Sequence, residues 1–279
     1  MPQQTVIVAA AQMNFAWAAT PQEYFDRMHA PIARAARRGA QLVVLPQFTG
    51  DMLVGVLVPT DPAAGLAELA VQAGFASWYE CVRATAQTTA ELYVHTFESL
   101  AQRYQLYLVP GTLSLPGEVD GAAGIAAPIF HAAFLFGPDG AVLGEQRQLF
   151  ANGAEEPATR YGTGTAPLDT EIGRIALVVG DDPLHSDLAA NIVTLGCAVV
   201  ANPMARRNEA DREVATARWR SLAEAGIYVV EAAVVGGPYV GRSAIHGPLF
   251  GDGAPAGLLA QASADDRLDQ VIDATVTLR

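Results

Sequence analysis

The chain has 279 residues, a formal net charge of −12, and a composition that is 51% hydrophobic and only 16% charged. That balance supplies a large buried core and excludes a disordered chain. The acidic excess, 29 carboxylates against 17 scattered basic residues, excludes a nucleic-acid surface built of clustered Lys and Arg.

Two distant cysteines, Cys81 and Cys197, form neither a disulfide framework nor a metal-ligand cluster, which suits a reducing cytoplasm. No run approaches the roughly 18 apolar residues that span a bilayer. The opening MPQQTVIVAAAQ lacks a basic region before its short apolar run, so it reads as a strand and not as a signal peptide. A soluble cytoplasmic protein without membrane contact is expected.

In chain order, Thr5–Gln12 is a compact apolar run of the kind found in buried strands. Pro21–Arg38 carries apolar residues at helical spacing behind an N-cap Thr20, Pro21 at the first helical position and Glu23 at the third. Pro31 is a potential kink and Gly39 the stop. A second strand, Gln41–Pro46, completes a βαβ unit and implies a parallel pair. Phe48–Thr89 gives no clear period, and a helix is expected over Ala90–Tyr104.

Leu106–Pro110 reads as a strand and Gly111–Ala127 as a Gly/Pro-rich loop. Ile129–Phe136, the turn Gly137-Pro138-Asp139-Gly140 and Ala141–Gln148 form a hairpin. Next come a strand at Arg174–Val179, a helix at Leu184–Leu195 and a strand at Cys197–Ala201. A polar helix over Asn208–Ala225 and a strand at Ile227–Val235 follow, then hairpin material at Arg242–Ile245, Gly257–Ala262 and Gln270–Leu278. No linker divides the chain, so one α/β domain over residues 1–279 is expected.

Seven strings in order carry a family likeness: AAAQMN (Ala9–Asn14), ARRGAQLVVLPQF (Ala36–Phe48), FHAAFLFGPDGAVLGEQRQLF (Phe130–Phe150), IGRIALVVGDD (Ile172–Asp182), LGCAVVANP (Leu195–Pro203), RWRSLAEAGIYVVEAAVVG (Arg218–Gly236) and GRSAIHGP (Gly241–Pro248). Together they resemble the carbon–nitrogen hydrolases of the nitrilase superfamily. The resemblance implies a four-layer α/β/β/α sandwich, a homodimer or higher homo-oligomer paired through helical faces, and a Glu-Lys-Cys triad without a cofactor. In that chemistry a thiolate attacks a nitrile or amide carbon, a base activates it, and a cationic donor stabilises the developing charge.

The matched positions depart from that triad. Gln47 follows Leu-Pro where the family carries Glu, and an amide takes up no proton near neutral pH. Its plain structural role is to satisfy hydrogen bonds at a strand end. Gln146 stands at the Lys position, although a one-residue slip substitutes Arg147. Alternation lets only one of the two enter the pocket, and a salt-bridged or exposed role also suits Arg147. Gly180 stands where the nucleophilic Cys belongs and offers no side chain. Cys197 reads as a buried thiol, and Cys81 would have to fold back to serve.

Glu156, with Glu155 beside it, resembles an accessory acid ahead of Tyr161–Gly164 and is equally consistent with a solvated loop pair. Asp181, Asp182, His185 and Asp187 cluster at a strand's carboxyl end, where α/β ligands bind. Such groups can ligate a divalent ion. Equally, Asp182 can replace a structural Asp and Asp181 can cap the following helix. No metal is expected.

Two functions stay open. One is a catalytically degenerate pseudoenzyme that binds a small molecule through residues such as Glu156, Arg147, Asp181 and Asp182. The other is a hydrolase of small amides or nitriles using an acidic or metal site near Asp181 and Asp182, or a relocated Cys81.

Overall fold

The computed structural model describes residues 4–58, 61, 64–117, 127–150, 161–248, 257–263 and 269–278. Strand β1 (Gln4–Asn14) leads through helix α1 (Pro21–Arg37) to β2 (Leu42–Val44). A 3-10 turn at Asp51–Leu53 and a single helical turn α2 (Val54–Leu57) precede α3 (Leu66–Gln72) and the long α4 (Trp78–Tyr104). Then come β3 (Tyr107–Val109), β4 (Thr112–Pro116), β5 (Ile129–Phe136), β6 (Val142–Arg147), β7 (Leu168–Thr170) and β8 (Gly173–Leu177). The remainder is a 3-10 turn at Asp182–Leu184, α5 (Ser186–Thr194), β9 (Val199–Met204), α6 (Glu209–Glu224), β10 (Tyr228–Val235), β11 (Ala244–His246), β12 (Leu258–Gln261) and β13 (Gln270–Leu278).

Local signals explain the helix starts. Thr20 Oγ1 accepts from Glu23 N–H while Glu23 Oε2 accepts from Ala19 N–H, so two orphan donors are satisfied reciprocally. Ser77 and Glu80 repeat the arrangement at α4, and Asn208 caps α6 by accepting from Asp211 N–H. Gly39, at φ +83°, takes the left-handed position just past α1.

The strands form two sheets joined through β1. In one, β2 pairs parallel with both β1 and β3, β13 lies antiparallel along β1 from Gln4↔Leu278 to Gln12↔Gln270, and β5 links β3, β4 and β6. In the other, β8, β9 and β10 run parallel, with β7 and β11–β12 antiparallel at the edges. The end of β1 crosses over to pair with β10 at Met13↔Val234. Gln12 secures this crossing, because its Oε1 accepts from Ser243 N–H at 3.0 Å while Ser243 Oγ donates to Ala11 O.

Alternation along each strand divides the apolar residues among three packing layers. Val6, Val8, Ala10, Leu42 and Val44 of the first sheet meet Ile175, Leu177, Val199, Ala201, Val230 and Ala232 of the second. The opposite face of the first sheet packs Ala9, Ala11, Val43 and Leu45 against Met28 and Ile32 of α1 and Tyr93, Phe97 and Leu100 of α4. The opposite face of the second packs Ala176, Val178, Val200 and Val229 against Leu188 and Ile192 of α5 and Trp219 and Leu222 of α6. The result is the expected α/β/β/α sandwich. Among the described residues no helix is long and apolar enough to cross a membrane.

Four local expectations need correction. Helix α4 starts at Trp78 and not Ala90, because Ser77-Trp78-Tyr79-Glu80 is a capping sequence and Trp78, Cys81, Val82, Thr85, Ala86 and Thr89 already lie on its buried face. Thr112–Pro116, inside the expected Gly111–Ala127 loop, is strand β4, held antiparallel to β5. The short β7 pairs with β8 at Leu168↔Ile175 and was not anticipated. Finally, β13 forms no local hairpin and lies along β1 in the other sheet.

Removing the α4 cap tests this account. Ser77→Ala is expected to lower stability by about 1 kcal/mol in chemical denaturation, since it leaves a helix N–H without its acceptor. An unchanged midpoint would contradict the capping role.

Candidate functional site

A cavity of about 360 Å³ opens where strand ends of both sheets meet. From the first sheet come Gln47 and Phe48 beyond β2, His131 on β5 and Gln148 beyond β6; from the second come Asp181, Ala205, Arg207 and Asn208 beyond β8 and β9. Trp78 and Tyr79 at the start of α4, Leu66, Asp211 and Tyr239 complete the wall. The carboxyl ends of parallel strands are where α/β folds bind ligands.

The defining contact is between positions 47 and 180. Gly180 follows β8 with φ +56°, a left-handed backbone that resists any side chain. A Cβ built there would lie 3.0 Å from Gln47 Oε1 and 3.2 Å from its Nε2. The Gln47 amide thus stands in tight contact range of any side chain at 180. Asn202 Nδ2 donates to Val178 O at 2.9 Å, and Gly180 N–H donates to Pro203 O at 2.9 Å, which fixes the turn. Phe48 is also left-handed, at φ +65°, with its N–H held by Thr112 Oγ1 at 2.9 Å. A non-glycine residue in that region stores strain of the kind concentrated at ligand sites.

Gln47 does not play the hydrogen-bonded role expected of it at a strand end. It is only 5% exposed, yet its amide makes no hydrogen bond among the described residues. Gln148 is similar: Nε2 donates to Phe150 O at 3.0 Å, while its buried Oε1 has no partner among the described residues. Buried amide groups left unsatisfied cost about 1–3 kcal/mol each. The unsatisfied Gln148 oxygen and the Gln47 amide on one wall mark a surface suited to a polar guest.

Neither Gln146 nor Arg147 lines the cavity. Gln146 turns to the neighbouring chain segment, with Nε2 donating to Gly164 O at 3.1 Å and Oε1 accepting from Ala166 N–H at 3.4 Å. Arg147 faces the other way, pairs with Glu145 at 3.1 Å and lies over the Phe130 ring at 4.3 Å. Gln148 supplies this strand's side chain to the wall. It shares the inward parity of Gln146 but stands beyond the last pair of β6, where the two sheets open.

The acidic cluster separates. Asp182 is fully buried and leaves the binding set, because Oδ1 accepts from Leu149 and Phe150 N–H at 2.9 and 3.0 Å and Oδ2 from Val179 N–H at 3.3 Å. It ties the end of β6 to the end of β8. Asp181 lines the cavity, 3.5 Å from Arg206 Nε, and its side chain caps no helix. His185 stacks on Phe150 at 3.9 Å, and Asp187 sits in the exposed first turn of α5. Among the described residues no group of His, Cys, Asp and Glu is placed to hold a metal ion. Glu155 and Glu156 lie outside the described residues.

The cysteines lie apart from the cavity wall. Cys81 packs with Trp17, Trp78, Val82 and Ile129, and burial pushes its thiol up to about 11. Cys197 belongs to the α5–α6 core, and burial likewise pushes its thiol to about 11. Neither is a thiolate near neutral pH.

Three residues that sequence reasoning passed over shape the electrostatics. His131 Nδ1 lies 2.9 Å from Ser114 Oγ, and burial lowers its pKa to about 4, so the imidazole is neutral. Arg206 is completely buried and pairs with Glu231 at 2.7 Å, while Trp219 Nε1 donates to the same carboxylate at 2.9 Å. Burial alone would raise Glu231. The Arg206 guanidinium outweighs it, with help from His246 and Trp219, and holds the carboxyl near 2. The continuous apolar run of β10 gave one cue: Glu231 is the lone charge within it.

The family model described as carbon-nitrogen hydrolase matches residues 7–256. Among solved structures, Saccharomyces cerevisiae Nit3, a member of the nitrilase superfamily, superposes with a TM-score of 0.70 at 19% identity, covering 98% of this chain and 90% of that one. An amidase from Nesterenkonia sp. gives 0.67 at 20% identity, with coverage of 97% and 90%. A carbon-nitrogen hydrolase from Helicobacter pylori G27 gives 0.70 at 18% identity, with coverage of 97% and 88%. Such identities speak for the fold alone. No curated protein sequence matches the chain.

The Arg206–Glu231 pair makes a pH prediction. Because the folded carboxyl is held near 2, below its ordinary 4.5, its stabilisation is present above about pH 4.5 and is lost as pH falls toward 2. Glu231→Gln is expected to cost about 3 kcal/mol at pH 7 by leaving Arg206 buried without its countercharge. The gap in melting temperature from the parent protein should narrow steadily below pH 4.5. A gap independent of pH would contradict the ionised pair.

Proposed function

The chain belongs to the carbon–nitrogen hydrolase family, and from that premise we propose that it is a non-catalytic member whose cavity binds a small polar molecule. The observation that carries this reading is the approach of Gln47 to Gly180. The amidase from Nesterenkonia sp. has an active-site cysteine to which acrylamide adds. At the position proposed to correspond, this chain has Gly180, and the Gln47 amide lies against it.

Covalent hydrolysis needs a nucleophile, a base and a charge-stabilising donor. Gly180 supplies no nucleophile. Gln47 accepts no proton, and Gln146 is turned out of the cavity by its bonds to the 164–166 segment. What the wall retains is recognition chemistry. The amides of Gln47 and Gln148 offer donors and acceptors, His131 is a neutral ring, and Phe48, Trp78, Tyr79 and Tyr239 are aromatic surfaces. This combination suits a neutral or zwitterionic guest bearing an amide-like group.

A hydrolase with other catalytic groups has one observation in its favour, the Asp181 carboxylate on the cavity wall. Against it, Asp182 is engaged by three backbone N–H groups and Cys81 is sealed in an apolar cluster.

The two readings separate in a direct assay. Purified protein incubated with aliphatic and aromatic amides and nitriles is expected to release no ammonia above the uncatalysed rate. Losing triad members that work as a unit typically costs on the order of 10⁴–10⁶ in rate. Turnover that disappears in Asp181→Asn or in Cys81→Ala would overturn the proposal.

A further inference from the structure

A second cavity, of about 160 Å³, shares no lining residue with the first. Helix α6 presents Arg212, Thr216, Arg220 and Ala223 to it, at the three- and four-residue spacing of one helical face. Arg242, Ala244 and His246 reach it from β11 and the residues just before, where alternation turns all three to one side.

Three of the chain's 17 basic residues therefore converge on a small space in a protein of net charge −12. Arg220 and Arg242 have no carboxylate partner among the described residues; Arg242 holds Ala262 O through Nε and Nη2 at 3.2 and 3.1 Å. Arg212 pairs with Glu209 at the surface. Glu231 is the one carboxylate on the wall, and Arg206 and Trp219 already bind it. His246 is 6% exposed, and its Nε2 has no hydrogen-bond partner among the described residues, lying 3.9 Å from Glu231 Oε2. The wall carries excess positive charge, and the buried His246 ring nitrogen faces it from beside Glu231.

We propose that this cavity binds a phosphate group, free or carried on a small molecule, through Arg220, Arg242 and Arg212 with His246 as a further ring-nitrogen contact. The guanidinium fork matches two phosphate oxygens at once and stays charged at every physiological pH. The volume suits one tetrahedral anion and not a nucleotide. The proposal stands independently of what the first cavity holds.

Calorimetric titration of the full chain with inorganic phosphate and, separately, phenyl phosphate at low ionic strength tests it. Saturable one-to-one binding is expected, weakened about tenfold by Arg220→Gln and again by Arg242→Gln, since each removes charge-assisted hydrogen bonds. Arg103→Gln, on α4 and outside both cavities, should change nothing. Arg220 is exposed, so its variant keeps the fold even if Arg242→Gln loosens the segment it holds. Tighter binding of phenyl phosphate points to a phosphoester and equal binding to the free ion. Absence of saturable binding overturns the proposal, as does an equal loss in Arg103→Gln or succinate binding as tightly as phosphate.

Discussion

Face-to-face packing of the two sheets is the constraint on which the rest of the molecule depends. It requires central strands that are apolar on both faces, because each sheet also carries a helical layer. β1 meets this most strictly. Val6, Val8 and Ala10 enter the inter-sheet core while Ala9, Ala11 and Met13 meet the helices. Its three consecutive alanines let the sheets and helices approach closely. The same packing brings the ends of β2, β6 and β8 together, and Asp182 locks the last two to each other with three backbone hydrogen bonds. The cavity exists because two stacked sheets leave a mouth at their strand ends.

That origin explains which parts were legible in the sequence. β1, α1 and the β5–β6 hairpin rest on local rules: an apolar run, a Thr20–Glu23 cap and a Gly-Pro-Asp-Gly turn. The start of α4 was equally local, but its Ser77–Glu80 cap sits in a stretch broken by Gly65 and Gly74 that masks the helical period. No local pattern could reveal that β13 lies along β1, since the paired residues stand at opposite ends of the chain. The same distinction holds at the site. Gln47 and Gly180 were legible from the strings around them. His131, Gln148 and Tyr239 were not, because they reach the cavity only through the meeting of the two sheets. Gln146 shows how alternation can mislead, since it shares parity with Gln148 but lies too far back along the strand to reach the mouth.

Charge inside this molecule serves placement. Glu231 and Arg206 neutralise one another in the second sheet's core, and Trp219 joins them from α6. Arg206 also faces Asp181, so the pair extends to the wall of the first cavity, and Glu231 reaches the wall of the second. A buried ion pair of this kind contributes little over an apolar replacement, yet removing one partner is costly because it strands the other charge. Here it joins β9, β10 and α6 between the two cavities.

As proposed, the first cavity holds a polar guest and does no chemistry on it. Side-chain amide resonances of Gln47 and Gln148, followed by ¹⁵N-resolved NMR during titration with propionamide, test this most directly. Both NH₂ groups are expected to shift saturably while propionamide remains unchanged over many hours. Accumulation of propionate, or saturable binding that leaves both glutamine resonances unmoved, would contradict it.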